Sequence, residues 1–204
     1  MTRWQIPEPQ PVGWTMRSLD SATVTAGFLA DGRFRQRIEH APLPGVTPAM
    51  CLWYLERAGT QVSWRGIDVL AYRLWHPRDH IFFQRQGTFG PGGSWHIVEA
   101  FGADRRFLLD GIFHVTKLDD TGFTMELRLL GRPVAVMDER WQPGDQGLSW
   151  TVEMTVGSAA PGLRPFVRAR VRSQMAFLER WRRHNVEEAG NLQHFLPELH
   201  AETC

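Results

Sequence analysis

Between His80 and Val156 the chain alternates. Apolar and polar residues trade places along it, and the pattern is cut at short intervals by turn residues. These cuts are Gly90 to Gly93, Asp119-Asp120-Thr121-Gly122, Gly131-Arg132-Pro133 and Pro143-Gly144-Asp145-Gln146-Gly147. A period of two marks strands with one buried face. It predicts six strands, over 81–86, 94–101, 107–117, 123–130, 134–141 and 148–156. Turns this short join antiparallel neighbours, since a parallel pair needs a long crossover. The stretch therefore reads as a meander, and a curved antiparallel sheet needs cover on one face. A long helical pattern follows at 165–189, with Gly190 as its stop. The expectation is an α+β helix-grip: an antiparallel sheet curved around a long C-terminal helix, with a cavity between them.

The residues before the meander add smaller pieces. Positions 1–21 hold Pro7, Pro9, Pro11 and Gly13 and read as an irregular lead-in. A strand is expected at 23–30, and a second strand or irregular segment at 34–40. Thr47-Pro48 reads as an N-cap with proline at the first helical position, opening a helix over 48–58. Met50, Trp53, Tyr54 and Leu55 supply its apolar side, and Gly59 ends it. A second short helix is expected at 66–75, closing before Pro77. With no internal repeat and no linker, residues 1–204 read as a single domain.

Composition limits the function classes. Hydrophobic residues make up 43% and charged residues 22%, with a formal net charge of +1. Such a chain carries no field for nucleic acid or a membrane surface, and no apolar run is long enough to span a bilayer. The first eleven residues lack an apolar signal core, so a cytoplasmic protein is expected. Cys51 and Cys204 make no disulfide framework, and Cys51 reads as a buried small residue. Nine Trp and twelve Phe against two Tyr supply aromatic surface for a core, or for a pocket taking a flat ligand.

Four residues stand out chemically. His184 and Glu188 are four apart, on one helical face with Trp181 and Phe177. That face points inward, while Glu187 lies off it and is expected in solvent. The pair could equally hydrogen-bond to each other at a helix terminus. In the strand Trp95-His96-Ile97-Val98-Glu99-Ala100-Phe101, alternation puts Glu99 among Trp95, Ile97 and Phe101. An acid on an apolar face is costly unless paired or bound to a metal. His80 opens the first strand of the meander on a face shared with Phe82 and Gln84. His76 precedes Pro77 at the junction. Either histidine alone also reads as a satisfied polar residue at a sheet edge. If the strands hold His80 and Glu99 while the helix holds His184 and Glu188, two imidazoles and two carboxylates converge in the cavity. That donor set suits Zn²⁺, with other divalent transition metals not excluded.

These residues resemble a known family. His184-Asn-Val-Glu-Glu-Ala-Gly-Asn191, running on to Phe195-Leu-Pro-Glu-Leu199, is similar to the C-terminal signature of the diacetylphloroglucinol hydrolase family, which includes phloretin hydrolase. Tyr72-Arg-Leu-Trp-His-Pro-Arg-Asp-His80 resembles its second motif, and His96-Ile-Val-Glu99 its sheet motif. The likeness runs from about Thr47 to Leu199, although the chain is short of tyrosines in the meander. The resemblance implies a Bet v 1-like helix-grip and a metal-dependent hydrolase that cuts the carbon–carbon bond between an acyl group and a phenolic ring. It implies zinc held by His184, Glu188, Glu99 and a second histidine, His80 or else His76. The family's tyrosine eight residues before that histidine falls on Tyr72 if His80 is the ligand. Tyr72 would handle a proton or a phenolic oxygen, and His76 would act as acid/base or support a ligand. A small acyl-phenol or polyketide-like substrate and a homodimer are the partners so implied. A helix-grip binding protein, or a cyclase or isomerase using the same pocket, is the competing expectation.

Overall fold

The structure is a computed structural model and describes residues 4–160 and 162–203. Met1 to Arg3, Pro161 and Cys204 lie outside the described residues. The six strands of the meander are β5 (His80–Gln86), β6 (Ser94–Ala100), β7 (Leu108–Asp119), β8 (Gly122–Leu129), β9 (Arg132–Gly144) and β10 (Gly147–Val156). Each pairs antiparallel with the next. β1 (Thr23–Phe28) and β2 (Phe34–Glu39) extend the sheet beyond β10, giving the order β1-β2-β10-β9-β8-β7-β6-β5. The β7–β8 turn depends on Gly122, which sits at φ +132 with its Cα against the next strand. A Cβ there would lie 1.9 Å from the Glu139 carbonyl oxygen, a position open only to glycine.

Helix α1 (Pro48–Arg57) begins as its sequence predicts: the Thr47 side chain accepts from the Met50 N–H, with Pro48 in the first turn. The predicted helix over 66–75 is shorter. Residues Gln61–Trp64 (β3) and Ile67–Leu70 (β4) form a hairpin, and only Ala71–Trp75 (α2) is helical. Arg65 and Gly66 both take left-handed φ values, 51° and 75°. Two such residues in succession reverse a hairpin tightly, and Val62, Ile67 and Val69 favour the extended chain that flanks it.

The C-terminal pattern divides in two: α3 (Arg164–Ser173) and α4 (Met175–Thr203), separated at Gln174 (φ −111°, ψ 12°). Gly190 does not stop the helix. It lies within α4, where Arg17 crosses so closely that a Cβ would fall 2.4 Å from the arginine Cδ. Arg17 is anchored there by donating to the Ala41 and Pro42 carbonyls and to Gln193. The glycine serves close approach rather than termination.

Trp181, Val186, Leu192 and Phe195 of α4 share one apolar core with Trp95, Phe113, Phe123 and Trp150 of the sheet and Tyr54 of α1. Cys51 is buried in that core, as expected. Towards α3 the layers separate and enclose a cavity of about 410 Å³. No helix among the described residues is long and apolar enough to cross a membrane.

Candidate metal centre

Glu99 lies where alternation predicted, on the inner face of β6 with Trp95 and Ile97, and all three line the cavity. His80 reaches the same face by a different route. β5 carries a bulge between His80 and Phe82. Strict alternation would have turned Phe82 and Gln84 inward with the histidine. The extra residue shifts the phase, so Phe83 is buried beside His80 and Phe82 packs outside against Trp4, ring centroids 4.8 Å apart. His80 and Glu99 are directly paired across the two strands.

His184 and Glu188 project from α4 towards this pair. His80, Glu99 and His184 can offer ligand atoms all within 4.8 Å of one another. Glu188 flanks them, its Oε2 3.3 Å from His80 Nε2 and 3.6 Å from His184 Nε2. Glu99 closes the other side, at 3.4 Å from His80 Nε2 and 3.7 Å from His184 Nε2. Two ligands each about 2.0–2.1 Å from one zinc, at a tetrahedral angle, are about 3.4 Å apart. The spacing of this set matches that edge.

The proton positions match too. His80 Nδ1 is 2.7 Å from the Tyr72 carbonyl oxygen, which can only accept, so Nδ1 carries the hydrogen and Nε2 the lone pair. His184 Nδ1 donates to Asp79 at 3.1 Å. Both Nε2 atoms are buried and have no hydrogen-bond partner. Burial holds the His80 imidazole well below its usual pKa and neutral. Burial pulls His184 the same way, but Glu188, Glu99 and Asp79 together push it up to about 9. A proton on its Nε2 finds no acceptor at hydrogen-bonding distance. Two orphaned imidazole nitrogens facing two carboxylates fit a divalent cation held by His80, Glu99, His184 and Glu188.

A second layer fixes the four. Tyr72 donates its hydroxyl to Glu99 Oε1. Asn185 donates to Glu188 Oε1 at 2.8 Å, and its own carbonyl oxygen accepts from His40 at 3.2 Å. Because α4 continues to Thr203, Glu188 stands mid-helix. Asp79 accepts from His184, from Arg78 and from the backbone N–H groups of Gly102 and Ala103. Burial alone would raise its pKa, but His184, His76 and the Gly102 N–H hold it well below the carboxylate range. His76 does not line the cavity. Its ring stacks behind His184 at 4.5 Å, its Nδ1 accepts from the Asp79 N–H, and its Nε2 donates to Glu187. Of its two expected roles, the geometry provides for support of a ligand. Glu187 corrects the sequence reading: it is 3% exposed rather than solvated, held by His76, Arg78 and Arg183.

Sequence reasoning passed over two acids, Asp79 and Glu139. Glu139 was findable by the argument used for Glu99, since Met137 and Trp141 flank it at the same parity of β9. It is buried, lines the cavity and accepts from the Trp150 indole at 2.8 Å.

No protein-family model matches the chain, and no curated protein matches it. Among solved structures it is similar to protein Ms6760 from Mycobacterium smegmatis, with TM-score 0.48 and 16% identity, covering 82% of this chain and 96% of that one. It is also similar to Ara h 8.0201, with TM-score 0.40 and 13% identity over 78% of this chain and 97% of that one. A third similar structure is the di-domain ARO/CYC BexL, with TM-score 0.49 and 9% identity over 79% of this chain and 50% of that one.

Proposed function

We propose that the chain is a metal-dependent hydrolase on a Bet v 1-like helix-grip, cutting the carbon–carbon bond between an acyl group and a phenolic ring. The observation that carries this reading is the pair of buried, unpartnered Nε2 atoms of His80 and His184, set just behind Glu99 and Glu188, the two of the four that line the apolar cavity. The substrate class comes from the resemblance at residues 72–80, 96–99 and 184–199.

These four residues would hold the ion, Zn²⁺ before the other divalent transition metals. When bound, it supplies a Lewis acid for the acyl carbonyl and lowers the pKa of water. The protein does the rest. Trp75, Phe83, Trp95 and Phe113 wall the cavity and suit a planar ring held away from bulk water. Tyr72 aims Glu99, and Asn185 aims Glu188, so each carboxylate keeps one defined face to the centre.

The test is elemental analysis of purified protein beside an assay with 2,4,6-trihydroxyacetophenone. We expect one transition-metal ion per chain, release of acetate, and loss of both in Glu99→Ala and His184→Ala with circular dichroism unchanged. Metal-free wild-type protein that binds the ketone without cleaving it would replace the hydrolase with a binding protein. Full metal retention in both variants would overturn the site.

A further inference from the structure

Hydrolysis of an aryl ketone needs a proton for the departing ring, and with both Nε2 atoms and both carboxylates turned to an ion the cluster at residues 80, 99, 184 and 188 would have none to give. Both Nδ1 hydrogens are engaged, by the Tyr72 carbonyl and by Asp79. The Tyr72 hydroxyl is engaged by Glu99. The other polar residues lining the cavity are Glu139, Arg170 and Gln174. A guanidinium does not release a proton near neutrality, and an amide does not at all. Glu139 remains.

Its setting suits the task. Glu139 lies in the middle of β9, paired with Phe123 on one side and Val152 on the other, and is 2% exposed. The Trp150 indole donates to Oε2, which fixes the carboxyl and leaves Oε1 as the oxygen able to donate. Burial, reinforced by Glu188, raises the pKa of this acid well above that of a free carboxyl and so favours its protonated form.

We propose that Glu139 is the catalytic acid that protonates the ring carbon. This deepens the hydrolase reading and rests on it. Water adds to the acyl carbon, and one water O–H bond breaks. The bond between acyl carbon and ring carbon then breaks, and its electron pair stays with the ring carbon, which takes the Glu139 proton. The proton given up by water restores the Glu139 carboxyl. The products are a carboxylic acid and the bare phenolic ring, with no change of oxidation state beyond hydrolysis.

Two assays on the full chain test it, comparing wild type with Glu139→Gln, whose amide oxygen still accepts from Trp150. The first is hydrolysis of 2,4,6-trihydroxyacetophenone. The second needs no hydrolysis: proton NMR of hydrogen–deuterium exchange at the ring carbons of phloroglucinol in D₂O. We expect Glu139→Gln to keep its metal and thermal midpoint, with KM little changed, kcat down about 10²-fold or more, and accelerated ring exchange abolished. Glu139→Asp should recover part of both. Wild-type exchange without hydrolysis would remove the hydrolase and leave Glu139 as an acid toward the ring. Wild-type rates in Glu139→Gln, or no accelerated exchange by the wild type, would overturn the proposal.

Discussion

The Tyr72 ring lies flat on the His80 imidazole, centroids 3.7 Å apart and planes 8° from parallel, while its hydroxyl donates to Glu99. The backbone carbonyl of the same residue accepts from His80 Nδ1. One residue thus sets the orientation of two candidate ligands. Tyr72→Phe keeps the stack and the carbonyl and removes only the hold on Glu99. We expect a folded protein whose metal affinity falls about 10-fold, at the lower end of what such supporting partners contribute. Chelator-competition titration measures it, and unchanged affinity would reduce the hydroxyl to a space-filler.

Asp79 should matter more than its distance from the cavity suggests. It accepts from the buried His184 and from two half-buried backbone N–H groups, those of Gly102 and Ala103. Asp79→Ala leaves these donors without an acceptor. The expected cost is about 3 kcal/mol of folding stability in urea denaturation with chelator present. Metal affinity should fall about 10- to 100-fold as the His184 ring loses its anchor.

Acid should weaken the fold through His40. Burial is the main cause that brings its imidazole from the usual 6.5 down to about 4, against the opposing hydrogen bond with Asn185. The folded state therefore favours neutral His40, while the unfolded chain takes up a proton near pH 6.5. The contribution is whole above pH 6.5, declines as the pH falls, and is gone below about pH 4. The gap corresponds to about 3 kcal/mol. His40→Gln should flatten stability against pH across that window. An unchanged acid limb would assign it to other groups.

Gly190→Ala is a helix-favouring change that should destabilise. The added methyl meets Arg17, whose guanidinium is tied to two carbonyls and Gln193. Overpacking of this kind costs about 1–3 kcal/mol, more than the helix propensity gained. A raised thermal midpoint would show that Arg17 steps aside freely.

What the sequence disclosed follows from how far each signal reaches. Alternation along β6 placed Glu99 inward, and helical spacing placed His184 beside Glu188, because both are short-range periodicities. The Arg65-Gly66 turn was harder to see, since an arginine at positive φ carries no composition cue. Glu187 was misplaced for a related reason. The apolar stripe identifies what the core recruits, whereas Glu187 is drawn in by His76, 111 positions earlier in the chain. Gly190 looked like a stop because a glycine needed for a passing side chain and one needed for a left-handed cap are the same letter.

The bulge in β5 makes the candidate centre depend on parity. Along a strand, inside and outside are odd and even, and the extra residue between His80 and Phe82 changes the count once. Deleting Ile81 would set His80 and Phe83 two apart, so plain alternation would keep both inward with the sheet pairing intact from Phe82 onward. The strand thus carries one letter more than its pairing needs, and the bulge is where that surplus is kept out of the register.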